Sequence, residues 1–447
     1  MEISSKTITS TIAYKYESIF TLIVHKLHSV YIHIPFCNYK CDYCNFFVLS
    51  KEHPNFQDNL IEQYLSSLHQ EIDMWAHISN STQVKTIYIG GGTPATIGAQ
   101  GLIDIIDHIS RVRSCEYLEE ISIELNPDPF EETIQLVRHI SKYYASTPRI
   151  RFSRGLQTFD DEILKLAGRS YTYNNIKGYL RELQKVKQSN HCYNFDFIAF
   201  GTLHEKSINA QGGSTWNANK WGFFEDFVNS YTADSFSLYM LELFPGSKRE
   251  SMGHNPSMHI SPTLKQCITP DDEAIVTEHH MFEQTLIGAG YNRYEVSNFA
   301  LPGKNSSHNS VYWTMQPYIG IGASASGMLP RSLIAQSDYF GDIPNDNQGA
   351  RYTNTTNIME YIQGKYIDNK KTIVLQEHDI QYESFMLSLR SYGISNIEDF
   401  TKVLVPQYKE KLDTLNEAGL IQVQGTSLKL TREGYNVANR IIGELLQ

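Results

Sequence analysis

Cysteine is scarce in this chain, with 6 in 447 residues. That excludes a disulfide-stapled secreted scaffold, which packs many paired cysteines into a short sequence. Positive charge is also in deficit. Lys and Arg number 38 against 49 Asp and Glu, a net charge of −11. A general nucleic-acid or anionic-membrane binder needs a basic footprint and is therefore not expected. From Lys371 onward, 8 basic residues stand against 10 acidic ones, so the C-terminal part offers no DNA-binding face. Long apolar runs are missing too. Phe20–Val24 is broken at once by His25 and Lys26, far short of the roughly 20 residues that cross a bilayer. The opening MEISSKTITS lacks the basic-then-apolar layout of a signal peptide. These absences predict a cytoplasmic protein in a reducing setting, without an integral membrane segment. No internal repeat or low-complexity tract stands out.

What is present is a recurring short strand pattern. "YIHIP" (31–35), "TIYIG" (86–90), "ISIEL" (121–125), "IRFSRGLQTF" (150–159), "NFDFIAFG" (194–201) and "SFSLYML" (235–241) are apolar or β-branched, and most end in a turn-former or polar residue. Helical patterns such as 61–77 and 130–144 lie between them. Strands alternating with helices read as βαβ units around a parallel sheet. The expected class is α/β, an incomplete (β/α)6 barrel, with an open doubly wound sheet as the alternative. Residues 1–28 read as an N-terminal extension and 29–330 as the barrel with added elements. Residues 202–220 and 248–272 are polar surface insertions, and 331–370 is a linker rich in Gly, Asn and Asp. Residues 371–447 read helix, helix, strand, tight turn, strand, helix, with Thr431 as an N-cap. That order suggests an α+β, winged-helix-like domain.

The scarce cysteines are unevenly placed. Cys37, Cys41 and Cys44 fall within eight residues, and Cys115, Cys192 and Cys267 are scattered. Three thiolates spaced C-x3-C-x2-C reach one inorganic centre from a single loop. Structural zinc wants four closed ligands, so a triad suits it poorly. A [4Fe–4S] cluster held by three cysteines leaves one iron open. That iron can chelate the amino and carboxylate groups of S-adenosylmethionine, and an electron from the cluster can then cleave the sulfonium. A zinc knuckle or three buried thiols are the plainer alternatives. "GGGTP" (90–94) follows the second strand, where backbone without Cβ atoms can approach a bound amino acid. Glu124, Gln157, Asp196 and Tyr239 lie at or near the ends of later strands. Barrel active sites collect at that rim, although each residue alone is also explained by a strand-end hydrogen bond.

At these residues the chain resembles the radical S-adenosylmethionine superfamily. The resemblance is to the branch of oxygen-independent coproporphyrinogen III oxidases and HemW-like heme chaperones. It rests on "YIHIPFC", "IGGGTP", "IELNPD", "QTF", "YEVSNFA", "HNSVYW" and "LTREG", and spans roughly 29–327, more loosely 351–447. It implies a [4Fe–4S] cluster on Cys37, Cys41 and Cys44. It implies S-adenosylmethionine contacts from Tyr31, Tyr43, Gly91, Gly92, Thr93, Glu124, Gln157, Arg169 and Asp196. The oxidases resemble C-x3-C-x2-C-x-C; this chain has Phe46 at the fourth position, as the chaperones have a non-cysteine. "HNSVYW" (308–313) matches the chaperones' H-N-x-x-Y-W motif, implying heme contacts from His308, Tyr312 and Trp313. A heme or porphyrin ligand and an acceptor hemoprotein follow as partners, and a homodimer is compatible. Four departures stand in the barrel: Arg154 replaces an apolar residue, Tyr171 replaces a histidine after the "GR" pair, "FGTLHEKSINAQGGSTW" lacks the family's Gly-Leu-Pro-Gly-Gln turn, and "GIGASASG" only partly matches the expected glycine-rich segment. Heme chaperoning is the leading expectation. Radical decarboxylation of coproporphyrinogen III is the alternative, and whether S-adenosylmethionine is cleaved is left open.

Overall fold

A computed structural model describes residues 28–41, 44, 46–51, 53, 56–78, 83–145, 148–201, 218–231, 233–241, 272–334, 340 and 347–446. Tyr43, Cys267, most of the two surface insertions and nearly all of the N-terminal extension lie outside them.

The main body is one twelve-stranded sheet. In chain order its strands are β1 (Ser29–Ile34), β2 (Thr86–Gly91), β3 (Glu120–Leu125), β4 (Arg149–Gln157), β5 (His191–Ala199), β6 (Ser235–Met240), β7 (Asn292–Arg293), β8 (Asn298–Ala300), β9 (Tyr318–Ile321), β10 (Ser326–Pro330), β11 (Gly349–Thr353) and β12 (Ile373–Leu375). Strands β1 to β6 lie side by side in sequence order, all parallel. This is the winding of a barrel wall; a doubly wound sheet would reverse its strand order partway. Strand β9 adds a further parallel neighbour to β1, and β10–β12 continue antiparallel. At the other edge β8 and β7 follow β6, also antiparallel.

Period-two alternation decides what each face does. Val30, Ile32, Ile34, Ile87, Ile89, Ile121, Ile123, Ile150, Phe152, Phe195 and Phe236 form the buried side. Helices cover it, among them α1 (Leu60–Ile78), α2 (Gly98–Val112) and α3 (Phe130–Tyr143). Helix α2 shows why: Leu102, Ile103, Ile105, Ile106 and Ile109 make one apolar stripe at helical spacing. The residues between the apolar ones are polar. Tyr31 pairs with Tyr88, Tyr88 with Ser122, Ser122 with Arg151 and Arg151 with Cys192. One row further along come Glu124, Ser153 and Asn194. The concave face is thus a polar chamber rather than the apolar packing that fills many closed barrels.

One expectation is corrected, and the departure at Arg154 finds its place. Part of 331–370 is not a linker, because Gly349–Thr353 is strand β11 and 358–362 is helical. Asn354 Nδ2 and the Tyr361 hydroxyl donate to buried Glu71 of α1, at 2.7 and 2.5 Å. The polar composition that reads as loop serves to satisfy this carboxylate, which also accepts from Gly322 N and Trp75 Nε1. Arg154 does not touch the chamber. It lies on the helix-facing side of β4, fully buried, with Nε donating to the Tyr179 hydroxyl at 2.8 Å and the guanidinium 4.5 Å from the Tyr193 ring.

Toward the C terminus, Ile421–Gln424 and Ser427–Leu430 form an antiparallel hairpin. Helices 377–389, 408–417 and 438–445 pack on it around a second apolar cluster. Thr431 caps the helix after the hairpin, accepting from Gly434 N at 3.0 Å.

Candidate cofactor chamber at the strand ends

The cysteine loop leaves the C-terminal end of β1. Phe36–Cys37 forms a two-residue parallel ribbon with Leu49–Ser50, which folds the loop back over the rim. The chain turns between Cys41 O and Cys44 N, 3.1 Å apart. Cys37 Sγ lies 3.4 Å from Thr93 Oγ1 of the "GGGTP" turn. Burial pushes the Cys37 thiol up to about 12, and the neighbouring Cys44 and Cys41 push in the same direction while Arg169 opposes them. The three thiols therefore share one electrostatic neighbourhood with a cation beside it. Among the described residues no three His, Cys, Asp or Glu side chains converge closely enough for a single metal ion. A four-iron cube spreads its thiolates over separate corners and needs a wider triad. The turn facing the loop is shaped for close approach. A Cβ on Gly92 would stand 2.7 Å from Phe36 O and 3.0 Å from Cys37 Sγ. The donor set and this bare backbone fit an iron–sulfur cluster.

Behind the loop, the other expected residues line the same rim. Gly91 has φ +113°, which a side chain would strain, and its N–H donates to Glu124 Oε2 at 3.1 Å. Tyr88 donates to the other oxygen, Oε1, at 2.6 Å. Burial and the Asp196 charge raise Glu124 to about 7, against the pull of those two donors. Asp196 of β5 is also raised, chiefly by burial, and accepts from Asn194 Nδ2 at 2.7 Å. Gln157 ends β4 at φ +68° after a bulge that begins at Gly155. Tyr171 explains how that shape is held: its hydroxyl donates to Gly155 O at 3.1 Å. Arg169 donates to Asn126 Oδ1 at 2.6 Å. Tyr31 reaches His33 Nδ1 at 3.0 Å, and His33 Nε2 meets Phe47 O of the cysteine loop, also at 3.0 Å. Burial holds His33 down to about 4, so it is neutral. Two raised carboxylates with few cations beside them suit a ligand that carries its own positive charge, as S-adenosylmethionine does.

The heme-motif residues are elsewhere. His308, Tyr312 and Trp313 sit on helix 307–313, under the N-terminal ends of β1–β3. Five residue steps along β2 separate Thr86, which His308 touches, from Gly91, roughly 17 Å. His308 is fully buried. Its Nδ1 pairs with Thr86 Oγ1 at 2.8 Å and its Nε2 with the Tyr312 hydroxyl at 2.7 Å. Burial lowers it to about 3. Both nitrogens of the expected axial ligand are thus engaged here, and no edge of the ring is presented. Trp313 closes the same helix, half-buried.

Residues 31–204 match the profile of the Radical SAM superfamily. The whole chain is similar to the heme chaperone HemW of Bacillus subtilis, 28% identical over 434 residues, covering 94% of this chain and 99% of the relative. HemW of Lactococcus lactis is 27% identical over 430 residues, covering 95% and 98%. The coproporphyrinogen III oxidase HemN of Escherichia coli, a radical SAM enzyme, superposes with a TM-score of 0.68 at 18% identity, covering 95% of this chain and 91% of its own. Residues 31–204 form a radical SAM domain. The chain's twelve-stranded sheet is the HemN-like radical SAM fold, and the superfamily implies an iron–sulfur cluster and S-adenosylmethionine. Among the described residues no helix is long and apolar enough to cross a membrane.

Sequence reading missed Tyr88, His33 and Arg151. Tyr88 stands two before Gly90 and His33 two after Tyr31, both residues it did find, and Arg151 lies on the same cross-strand row as Tyr31, Tyr88 and Ser122. The period-two pattern is the signal that points to them.

Proposed function

We propose that this chain is a radical SAM heme chaperone, holding heme and passing it to an acceptor hemoprotein. The observation that carries the reading is end-to-end likeness to the HemW chaperones, 99% of the Bacillus subtilis relative being covered. Phe46 supports it: where the oxidases resemble C-x3-C-x2-C-x-C, this chain has an exposed ring, 64% accessible, beside the cysteine loop. Cys37, Cys41 and Cys44 would hold three corners of a [4Fe–4S] cluster, and bound there the cluster supplies single electrons. Tyr31, Gly91, Gly92, Thr93, Glu124, Gln157, Arg169 and Asp196 would hold S-adenosylmethionine, with Tyr43 as a further candidate. Glu124 and Asp196 take its positive charge, and Gly91 and Gly92 allow its polar end close to backbone. Heme is cargo. The seating of His308 argues that heme rests on another group, or that the helix bearing His308 must first leave its place.

The deciding experiment uses the anaerobically reconstituted full chain. It should bind heme near one per chain, pass it to an apo-hemoprotein, and leave coproporphyrinogen III unconverted. Decarboxylation of coproporphyrinogen with S-adenosylmethionine and a reductant would replace the chaperone with an oxidase.

A further inference from the structure

Tyr88 belongs to none of the motifs that carry the family resemblance, yet it stands at the centre of the chamber. Its hydroxyl meets Glu124 Oε1 at 2.6 Å, while Gly91 N meets Oε2 at 3.1 Å, so the carboxylate is gripped from both sides. The grip passes over Gly90. A Cβ there would fall 2.8 Å from Tyr88 Cε1 and 2.9 Å from Glu124 Cδ, inside any real contact distance. On its other side the Tyr88 ring lies 5.1 Å from the His308 ring and 5.9 Å from that of Tyr31. Tyr88 therefore lies between His308, at the start of the strands, and Glu124, at their ends. We propose that Tyr88 is a positioning residue of the chamber, whose hydroxyl locks the Glu124 carboxylate against Gly91 so that it receives the cationic end of S-adenosylmethionine. This rests on the S-adenosylmethionine reading of the site.

The expected signature is a pH profile. Glu124 faces Tyr88 on β2, Tyr31 on β1, Arg151 on β4, Asp196 on β5, Tyr239 on β6 and Tyr312 on the motif helix. The tyrosines are held protonated by burial and Arg151 stays charged, so the two carboxyls are the groups that titrate, Glu124 raised to about 7 and Asp196 raised by its burial. With Glu124 near 7, about half is ionised at neutral pH. The Tyr88 hydroxyl favours the ionised form, because it donates to it. Removing that hydroxyl raises the carboxyl further. A rise of about one pH unit would cut the ionised fraction at pH 7 from about a half to about a tenth, about fivefold.

The test uses the reconstituted full chain, Tyr88→Phe, and Gly90→Ala as a second variant whose methyl wedges the grip apart. Two readouts are taken from about pH 6 to about pH 9. One is the infrared carboxyl band that Glu124→Gln removes, followed without ligand. The other is S-adenosylmethionine affinity by equilibrium dialysis. In both variants the band should titrate at higher pH. Affinity should fall about fivefold near pH 7, and the gap should close toward pH 9. An unmoved band, or an affinity gap equal at every pH, overturns the proposal. Should wild type bind no S-adenosylmethionine, the reading of the site fails, and the infrared band alone still decides whether Tyr88 holds Glu124.

Discussion

Glu120 and Glu124 sit on one strand, on one face, four residues apart, and meet opposite fates. Glu120, at the start of β3, is held below the usual carboxylate range despite its burial. Arg149 and Arg151 lie beside it, and the N–H groups of Ser307 and His308 donate to it. Glu124, at the end, is raised to about 7 with Tyr88 and Gly91 as its donors. The two rims follow the same rule. At the N-terminal rim Ser29, Thr86, Glu120, Arg149, Ser306 and His308 satisfy one another. At the C-terminal rim, three thiols, two carboxylates and a glycine turn are left with capacity for a ligand. A rim whose buried carboxylate is held ionised by adjacent cations is architecture; one whose carboxylates are raised by burial despite their hydrogen bonds suits a cationic ligand.

The largest effect should come from the open rim. Cys41→Ala should reduce bound iron from about four per chain to near zero after anaerobic reconstitution, read by iron and sulfide analysis and by absorbance. Cys192→Ala should leave the cluster intact, since Cys192 is buried on β5 with its thiol 3.7 Å from Lys304 O. Cluster loss in Cys192→Ala would mean that the two rims are not separated as described.

At the sealed rim, His308→Ala removes two buried hydrogen bonds and leaves Thr86 and Tyr312 short of a partner. Denaturant unfolding should show a loss of about 2–4 kcal/mol. The folded variant should keep the cluster's spectrum and the Soret band of bound heme. Loss of that band with stability unchanged would show that His308 leaves its seat to bind heme.

Smaller, and confined to the open rim, is the pH response of the ligand-free protein. Glu124 titrates higher folded than unfolded, so the unfolded chain gives up its proton first. Stability should therefore fall as pH rises from about 4.5 to about 7 and level off above, with a slope reduced in Glu124→Gln. A Glu124→Gln curve parallel to wild type would show that the carboxyl ionises freely.

Much of this was legible in the sequence because strands and helices announce themselves by period. All six parallel strands of the wall were expected within a few residues, and so was the cysteine loop. Strand β11 was missed because Gly, Asn and Asp surround it and only Ala350 and Tyr352 carry its buried face. The seat of His308 was missed for a different reason. A motif names residue types, whereas the saturation of an imidazole depends on Thr86, some 220 residues away, and no spacing reveals that.

The smallest effect is the most demanding test of the alternation itself. Arg151 and Arg154 are three residues apart on β4, both buried, and so point to opposite faces. Arg151 holds the charges of Glu120, Glu124 and Asp196 in the chamber. Arg154 lies among Phe152, Tyr179, Tyr193 and Phe195 on the helix side, and one of its amino groups finds no hydrogen-bond partner. Exchanging such a buried cation for an apolar side chain of similar volume is often neutral or stabilising. Arg154→Met should thus change stability by less than about 1.5 kcal/mol, the lost bond to Tyr179 offsetting the relieved desolvation. It should leave S-adenosylmethionine affinity and its pH profile as in wild type. Arg151→Met, by contrast, should raise the titration of both chamber carboxyls and weaken binding. If Arg154→Met disturbs the pH profile as Arg151→Met does, the two faces of β4 are not insulated from one another, and the division of the sheet into a packing side and a ligand side fails with it.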